Sequence, residues 1–217
     1  MAVKKTIFVV DDHPIVSQGL GLMLEDHAKF KISGSAVSAS EALEKIKIKQ
    51  PDIMVVDISL QDGINGIELI KKISEQYPAI LTLVLSMHDE NVYAERALKA
   101  GAKGYIKKSE FTDKIIDALE LITNKGIFLS KEMTNTIMHQ ITASQMNTDK
   151  IGIDNLTDRE FEIFEMIGQG QNTKTIAERL VLSEKTVLSH KLRIKNKLKL
   201  KNANDLVNLA VKWFSLK

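Results

Sequence analysis

Through the first half of the chain, short apolar runs alternate with stretches in which apolar residues recur every three or four positions. Residues 6–10 are rich in strand formers and run into Asp11-Asp12. Pro14 then stands in the first turn of a helical pattern, a favoured place for proline, with Ile15, Leu20, Leu22, Met23 and Leu24 as its apolar side. A second strand fits residues 30–37. Ser40 precedes a helix carrying Ala42, Leu43, Ile46 and Ile48, stopped near Pro51. Ile53-Met54-Val55-Val56 is a continuous apolar run that ends on Asp57, as expected of a strand buried on both faces of a parallel sheet. Ile67, Leu69, Ile70 and Ile73 mark a third helix, residues 80–85 a fourth strand leading to Ser86, and residues 89–100 a fourth helix with Gly101 as its C-cap. Residues 103–107 make a fifth strand, and Phe111, Ile115, Ile116, Leu119 and Ile122 line a fifth helix.

Five such alternations predict an α/β domain with a doubly wound, five-stranded parallel sheet in the flavodoxin-like order 2-1-3-4-5. Ligands of such sheets lie at the carboxyl ends of the strands, at the switch point between the first and third. Taken alone, Asp57 reads either as a cap of the loop after its strand or as a carboxylate at that mouth. The strand order brings Asp11 and Asp12 beside it. Three carboxylates at one sheet edge repel, so the arrangement calls for a cation. Hard oxygen ligands without His or Cys favour Mg²⁺ or Mn²⁺ over Zn²⁺. Ser86 and Lys108, at the ends of the fourth and fifth strands, reach the same edge.

The second half changes period. Residues 142–155 are polar and read as a linker, preceded by a short helix that Ser130 caps through Met133, Ile137 and Ile141. Leu156-Thr157-Asp158-Arg159-Glu160 is a capping box, with Thr157 as N-cap and Glu160 three residues on. Phe161, Phe164 and Ile167 share one face, and Gly168 and Gly170 close the helix. A second helix starts at Asn172 and a third follows Ser183. Two helices across a short turn, the second basic, predict a helix-turn-helix spanning 172–191. On a helical wheel Val187, His190, Ile194 and Leu198 face inward, while Lys185, Leu188, Ser189, Leu192 and Asn196 face outward. The expected organisation is 1–124, an α/β domain; 125–155, a linker with a short helix; and 156–217, an all-α domain of four helices.

Charge sharpens this division. The chain has 217 residues and a net charge of +2, but residues 1–124 carry −3, residues 125–150 carry +1 and residues 151–217 carry +4. Only the C-terminal part is suited to a polyanion. From 185 to 201 there are seven Lys or Arg and no Asp or Glu. A composition of 44% hydrophobic and 27% charged residues is that of an ordinary globular protein. No apolar stretch is long enough to span a membrane, and the first apolar run meets Asp11-Asp12 too soon for a secretory signal. With no cysteine there is neither a disulfide framework nor a thiolate metal site. A cytoplasmic location fits.

With Asp11-Asp12, Asp57, Ser86 and Lys108 at successive strand ends and Tyr105 three residues before the lysine, residues 1–124 resemble the receiver domain of two-component response regulators. Asp11-Asp12-His13-Pro14 and residues 101–108 look like the NarL/FixJ class. The resemblance implies that Asp57 accepts a phosphoryl group from a sensor histidine kinase. It implies that Asp12, Asp57 and the Ser59 carbonyl hold the metal, with Asp11 acting through water, and that Lys108 pairs with the phosphate. Ser86 and Tyr105 would form the switch, the hydroxyl moving to the phosphate as the ring turns inward. Lys107 points to the other face of its strand, and the resemblance selects Lys108. His13 and His88 read as exposed polar residues at helix starts. The loop departs from the family: Leu60-Gln61 replaces the usual Met-Pro, Asp62 adds an anion, and Asn65-Gly66 stands for Asp-Gly. An altered phosphoryl lifetime or metal affinity is the expectation, tested by comparing acyl-phosphate decay in Gln61→Pro.

Residues 156–209 resemble the LuxR-type DNA-binding domain of the same class. Lys185, Thr186, Lys191 and Arg193 would hold phosphates, with Lys195 also in the DNA-binding set, and Leu188, Ser189 and Leu192 would face base edges. Family members often carry lysine at position 188; leucine there can touch only an apolar edge such as the thymine methyl. His190 reads as a packed core residue, and the last helix, residues 203–214, as the dimer contact. Ala203-Asn204-Asp205 departs from the usual Arg-Thr-Glu there. The whole reads as a phosphorylation-gated regulator that binds double-stranded DNA as a homodimer, with no membrane partner. It would be no enzyme beyond phosphotransfer to Asp57 and self-dephosphorylation. An Asp-nucleophile phosphatase of the haloacid dehalogenase kind needs a second Asp two residues after the nucleophile; Ser59 stands there. Its nucleophile also precedes the acidic pair, the reverse of the order here. A helix-turn-helix that binds protein is the other alternative.

Overall fold

The computed structural model describes residues 3–60, 64–143 and 152–215. The chain divides into two compact units, residues 1–142 and 143–217.

The first unit is built on five parallel strands, β1 (Lys5–Val10), β2 (Phe30–Ala36), β3 (Ile53–Val56), β4 (Leu81–Ser86) and β5 (Tyr105–Lys107). They lie in the order β2-β1-β3-β4-β5, as the alternation of elements predicts. The helices α1 (Pro14–Leu24), α2 (Ala39–Ile48), α3 (Gly66–Gln76), α4 (Glu90–Ala100) and α5 (Phe111–Thr123) connect or follow them. Side chains alternate across each strand. Ile7, Val9, Ile53, Val55, Leu83 and Leu85 therefore share one core with Leu20 and Leu24 of α1 and with Ile115, Leu119 and Ile122 of α5. The same alternation puts Phe8, Val10, Met54, Val56 and Val84 on the opposite side, also buried. A strand buried on both faces cannot alternate apolar and polar residues, which is why β3 reads as one apolar run.

The strand ends deliver the site. β3 pairs with β1 in register Val56↔Val10 and with β4 in register Val56↔Val84. Asp11 and Asp57, each one residue beyond its strand, thus emerge side by side, and Asp57 N–H donates to the Val10 carbonyl at 2.8 Å. Gly66, which opens α3, is required by close approach: a Cβ there would lie 1.9 Å from the Asp57 carbonyl oxygen. Gly101 ends α4 with φ +114°, the left-handed cap expected of it. Ser38, in extended backbone, caps α2, its side chain accepting from Glu41 N–H.

Residues beyond α5 stay with this unit. Phe128 bridges Gly104 in parallel, and its backbone bonds Lys103 and Tyr105 at 2.9 Å each. Ser130 then caps α6 (Lys131–Ala143), its Oγ accepting from Met133 N–H at 3.0 Å. Gln61, Asp62 and Gly63, and residues 144–151 of the polar joint, lie outside the described residues.

Among its described residues the second unit holds four α-helices, α7 (Asp158–Gly168), α8 (Thr173–Arg179), α9 (Glu184–Lys197) and α10 (Ala203–Ser215). The capping box at Thr157 and Glu160 forms in both directions. The residues of that motif also reach further. Arg159 is buried and donates to Glu162 Oε2 and to the Leu180 carbonyl, both at 2.8 Å, which ties α7 to the end of α8. Glu160 Oε2 accepts from Lys197 Nζ at 2.6 Å, joining α7 to the end of α9. Phe161 meets the Trp213 edge at 5.7 Å between centroids, fastening α10. Val181 at φ 53° makes the turn between α8 and α9. Among the described residues no helix is long and apolar enough to cross a membrane.

Candidate functional site

Four strand ends converge at the carboxyl edge of the sheet. Asp11 and Asp57 are buried there. Lys108 follows β5 in a short 3₁₀ turn (Lys108–Glu110), and its Nζ lies 2.6 Å from Asp57 Oδ2 and 2.7 Å from Asp11 Oδ2. Lys107 turns away and pairs with Asp89 at 2.9 Å. Lys108, not Lys107, thus reaches the two carboxylates; β5 ends one residue before it, and the turn, not strand alternation, aims it.

The electrostatics follow from this packing. Burial pushes the Asp57 carboxyl above its ordinary value, Lys108 pulls it back, and nearby Asp11 pushes it further up. Burial opposes the charge on Lys108, but its bonds to Asp11 and Asp57 outweigh that and hold the ammonium above the usual lysine range. The Lys108 ammonium pairs with two of the three carboxylates, while Asp12 lies beside His13. Ligand atoms of Asp11, Asp12, His13 and Asp57 all lie within 4.8 Å of one another. This excess of negative charge and hard oxygen donors fits Mg²⁺ or Mn²⁺. The Ser59 backbone is at hand, its N–H 3.3 Å from Asp57 Oδ1.

Ser86 is fully buried at the end of β4, and its Oγ accepts from His88 N–H at 3.2 Å. Tyr105 is 2% exposed, so its ring already lies inward, and its hydroxyl donates to the His88 carbonyl at 3.0 Å. Burial lifts the phenol well above its ordinary value, so it acts only as a neutral donor. His13 is exposed at the start of α1, with its Nδ1 2.7 Å from Asp12 Oδ1. His88, expected to be exposed, is half-buried; its ring lies tilted against that of Tyr93, 4.6 Å between centroids, and its Nε2 bonds Ser59 Oγ at 2.8 Å. The Ser59–His88 contact joins residues 29 apart, and no local pattern announces it.

The second candidate surface is α9. Val187 and Ile194 are fully buried, which fixes the rotation of the helix and leaves Lys185, Leu188, Ser189, Leu192 and Asn196 exposed, as the wheel predicts. Thr186 belongs to the N-cap: its N–H donates to Ser183 Oγ at 3.0 Å. Lys191 Nζ donates to Thr173 Oγ1 at 2.8 Å, and burial lowers its pKa, so it leans on α8. Arg193 is exposed and Lys195 half-buried. His190 is half-buried on the inner side.

Comparison with known proteins decides the family. Residues 7–120 match the response regulator receiver domain. Residues 154–210 match the bacterial regulatory proteins of the luxR family. The chain belongs to the response regulators of the NarL/FixJ class. This response regulator is 33% identical over 182 residues to the oxygen regulatory protein NreC of Staphylococcus epidermidis, covering 82% of this chain and 83% of that one. It is 28% identical over 193 residues to the transcriptional regulatory protein DegU of Brevibacillus brevis, covering 83% and 81%. A LuxR-family two-component response regulator from Aurantimonas aligns at a TM-score of 0.58 with 31% identity, over 64% of this chain and 99% of that one. RcsB of Salmonella typhimurium shares the fold at a TM-score of 0.66, with 22% identity over 97% of this chain and 98% of that one. The regulator thus joins a receiver domain to a LuxR-type DNA-binding domain.

Proposed function

We propose that Asp57 of this response regulator accepts a phosphoryl group from a sensor histidine kinase, and that the phosphorylated chain controls transcription as a DNA-bound homodimer in the cytoplasm. The observation that carries the reading is Lys108 Nζ, held within 2.7 Å of both Asp57 and Asp11 at the buried end of the sheet. In the transfer an Asp57 carboxylate oxygen forms the new bond to phosphorus, and the bond from phosphorus to the donor nitrogen breaks. Such a step needs positioning and charge neutralisation more than covalent assistance. Lys108 supplies a positive charge beside the incoming oxygens. Asp12, Asp57 and the Ser59 carbonyl would hold Mg²⁺ or Mn²⁺, with Asp11 acting through water; the ion supplies neutralisation of the phosphoryl oxygens. The Ser86 hydroxyl exchanges its contact with His88 N–H for a phosphoryl oxygen, and Tyr105, bonded to the same His88, follows the loop. Beyond this transfer and the later loss of the phosphoryl group the chain turns over no substrate.

In the second unit Lys185, Thr186, Lys191, Arg193 and Lys195 meet the DNA backbone, contacts that carry affinity and salt dependence. Leu188, Ser189 and Leu192 meet base edges. RcsB has been solved as dimers bound to DNA and as a complex with DNA, which supports a dimeric, DNA-bound output; the last helix and the receiver would supply the pairing surfaces. The test treats the full chain with acetyl phosphate and Mg²⁺. Intact mass should rise by one phosphoryl group in the wild type and not in Asp57→Ala, with tighter, salt-sensitive binding to duplex DNA in the wild type alone. Equal phosphorylation of both proteins overturns the role of Asp57. Salt-independent binding, or none, favours a helix-turn-helix that meets protein.

A further inference from the structure

The outward face of α9 carries apolar groups where base readers normally present donors. Val187 and Ile194, both fully buried, set the helix rotation, so Leu188 and Leu192 stand one turn apart on the solvent side, 56% and 54% exposed. Large exposed leucines at this spacing on a basic helix cost free energy in the free protein. They border a mainly apolar depression of about 250 Å³ lined in part by Leu206 and Val207 of α10.

The neighbouring polar groups are already engaged. Ser189 Oγ donates to the Lys185 carbonyl at 2.9 Å, inside the helix. Lys191 is held by Thr173. Lys185 at the start of α9 and Asn196 near its end flank the two leucines, and Arg193 stands at the edge of the face. The middle of the reading face therefore lacks the forked donors that recognise guanine or adenine. The occupant must still be a polyanion, because from 185 to 201 the chain has seven Lys or Arg and no Asp or Glu. In the major groove of duplex DNA the apolar group on offer is the C5-methyl of thymine.

We infer that Leu188 and Leu192 are sequence-determining residues that read thymine methyl groups, so that each half-site has thymine at the two base pairs under these side chains. This rests on the DNA-binding reading of α9 and specifies it. Specificity then comes from apolar contact with two methyls, while the flanking cations supply affinity without sequence choice.

The test uses the full chain, untreated and treated with acetyl phosphate, to select bound duplexes from a random library. Each thymine of the selected site is then replaced singly by deoxyuridine, which deletes only the methyl group. Two positions per half-site should each lose about fourfold in affinity, the effect of exposing one buried methyl-sized group. Leu188→Ala should abolish the loss at one position and Leu192→Ala at the other, with the salt dependence unchanged. Both residues are exposed, so the variants keep the fold. Deoxyuridine binding as well as thymine throughout overturns the inference, as does unchanged affinity and sequence preference in both variants. Such results would assign the leucines to a protein contact. Failure of any duplex to bind overturns the DNA-binding reading itself and this inference with it.

Discussion

Glu90 Oε1 accepts a 2.9 Å hydrogen bond from the backbone N–H of Ser130, forty residues further along. Ser130 is the cap of α6, its Oγ accepting from Met133 N–H. In a capping box the residue at Met133's place carries a carboxylate that reaches back to the cap's own N–H. Methionine cannot, and Glu90, buried at the start of α4, does so from another element. The first turn of α6 is thereby tied to the helix that follows the Ser86 loop. Replacing Glu90 by Ala should speed amide exchange over residues 130–134 about fivefold to tenfold, the effect of losing roughly one capping bond. Glu90→Gln should retain most of the protection, and the amides of β1 and β3 should not change. Unaltered exchange at 130–134 would show that the bond holds nothing in place.

Lys108 sits between two buried carboxylates that a divalent cation would also claim. Lys108→Ala should bind Mg²⁺ about tenfold or more tightly in a calorimetric titration, because a positive charge near the ion is gone. Without Mg²⁺ the variant should be less stable at neutral pH by about 3 kcal/mol, the cost of stranding buried charge. That deficit should shrink as pH falls, since Asp57, already raised above its ordinary value by burial, takes up a proton more readily. Unchanged Mg²⁺ affinity would separate the lysine from the metal site.

His190 gives the second unit a pH dependence of calculable sign. Burial lowers its pKa below the ordinary 6.5, and the nearby Arg193 lowers it further. Near and below that value the unfolded chain binds the proton more readily than the folded one. The stabilising effect of the neutral ring is therefore full above 6.5 and is lost as pH falls through the lowered folded value. Trp213 is the chain's single tryptophan and lies in this unit, so its fluorescence follows the unfolding. The midpoint should fall between neutral and mildly acidic pH in the wild type, and clearly less so in His190→Gln. Parallel curves would rule His190 out.

Gly66 stands against the end of the strand that leads into Asp57. Gly66→Ala would drive a Cβ to 1.9 Å from the Asp57 carbonyl oxygen, which the backbone can relieve only by moving Asp57 or α3. A loss of about 1–3 kcal/mol or more is expected, together with slower phosphorylation by acetyl phosphate. Asn65→Ala removes only the cap to Glu68 N–H and should cost about 1 kcal/mol, with smaller effect on the phosphorylation rate. Equal phosphorylation rates in Gly66→Ala and wild type would show that the loop gives way freely.

The alternation of periods, the buried run ending at Asp57, the capping box at Thr157 and the rotation of α9 were all legible in the residues, because each is set by neighbours within a turn or two. The reach of Lys108 was only half legible. Its place after the fifth strand put it at the right edge, yet the turn that aims it, and its bond to Asp11 as well as Asp57, depend on β1, β3 and β5 lying together. Ser38 as the cap of α2 is a local choice among nearby serines that periodicity alone could not make. The bonds of His88 to Ser59 and of Arg159 to the Leu180 carbonyl carry no local signature.

By itself, then, the sequence determined which segments are strands and helices, which strand ends bear carboxylate, hydroxyl and lysine, and which face of α9 is wet. These follow from backbone periodicity and from the need to bury apolar side chains, both of which act over short distances along the chain. Tertiary structure alone decided which polar groups touch: Lys108 with two acids, Glu90 with Ser130, Glu160 with Lys197. A buried charge or amide must find its partner within about 3 Å, and which partner is that close depends on how elements far apart in the chain are packed.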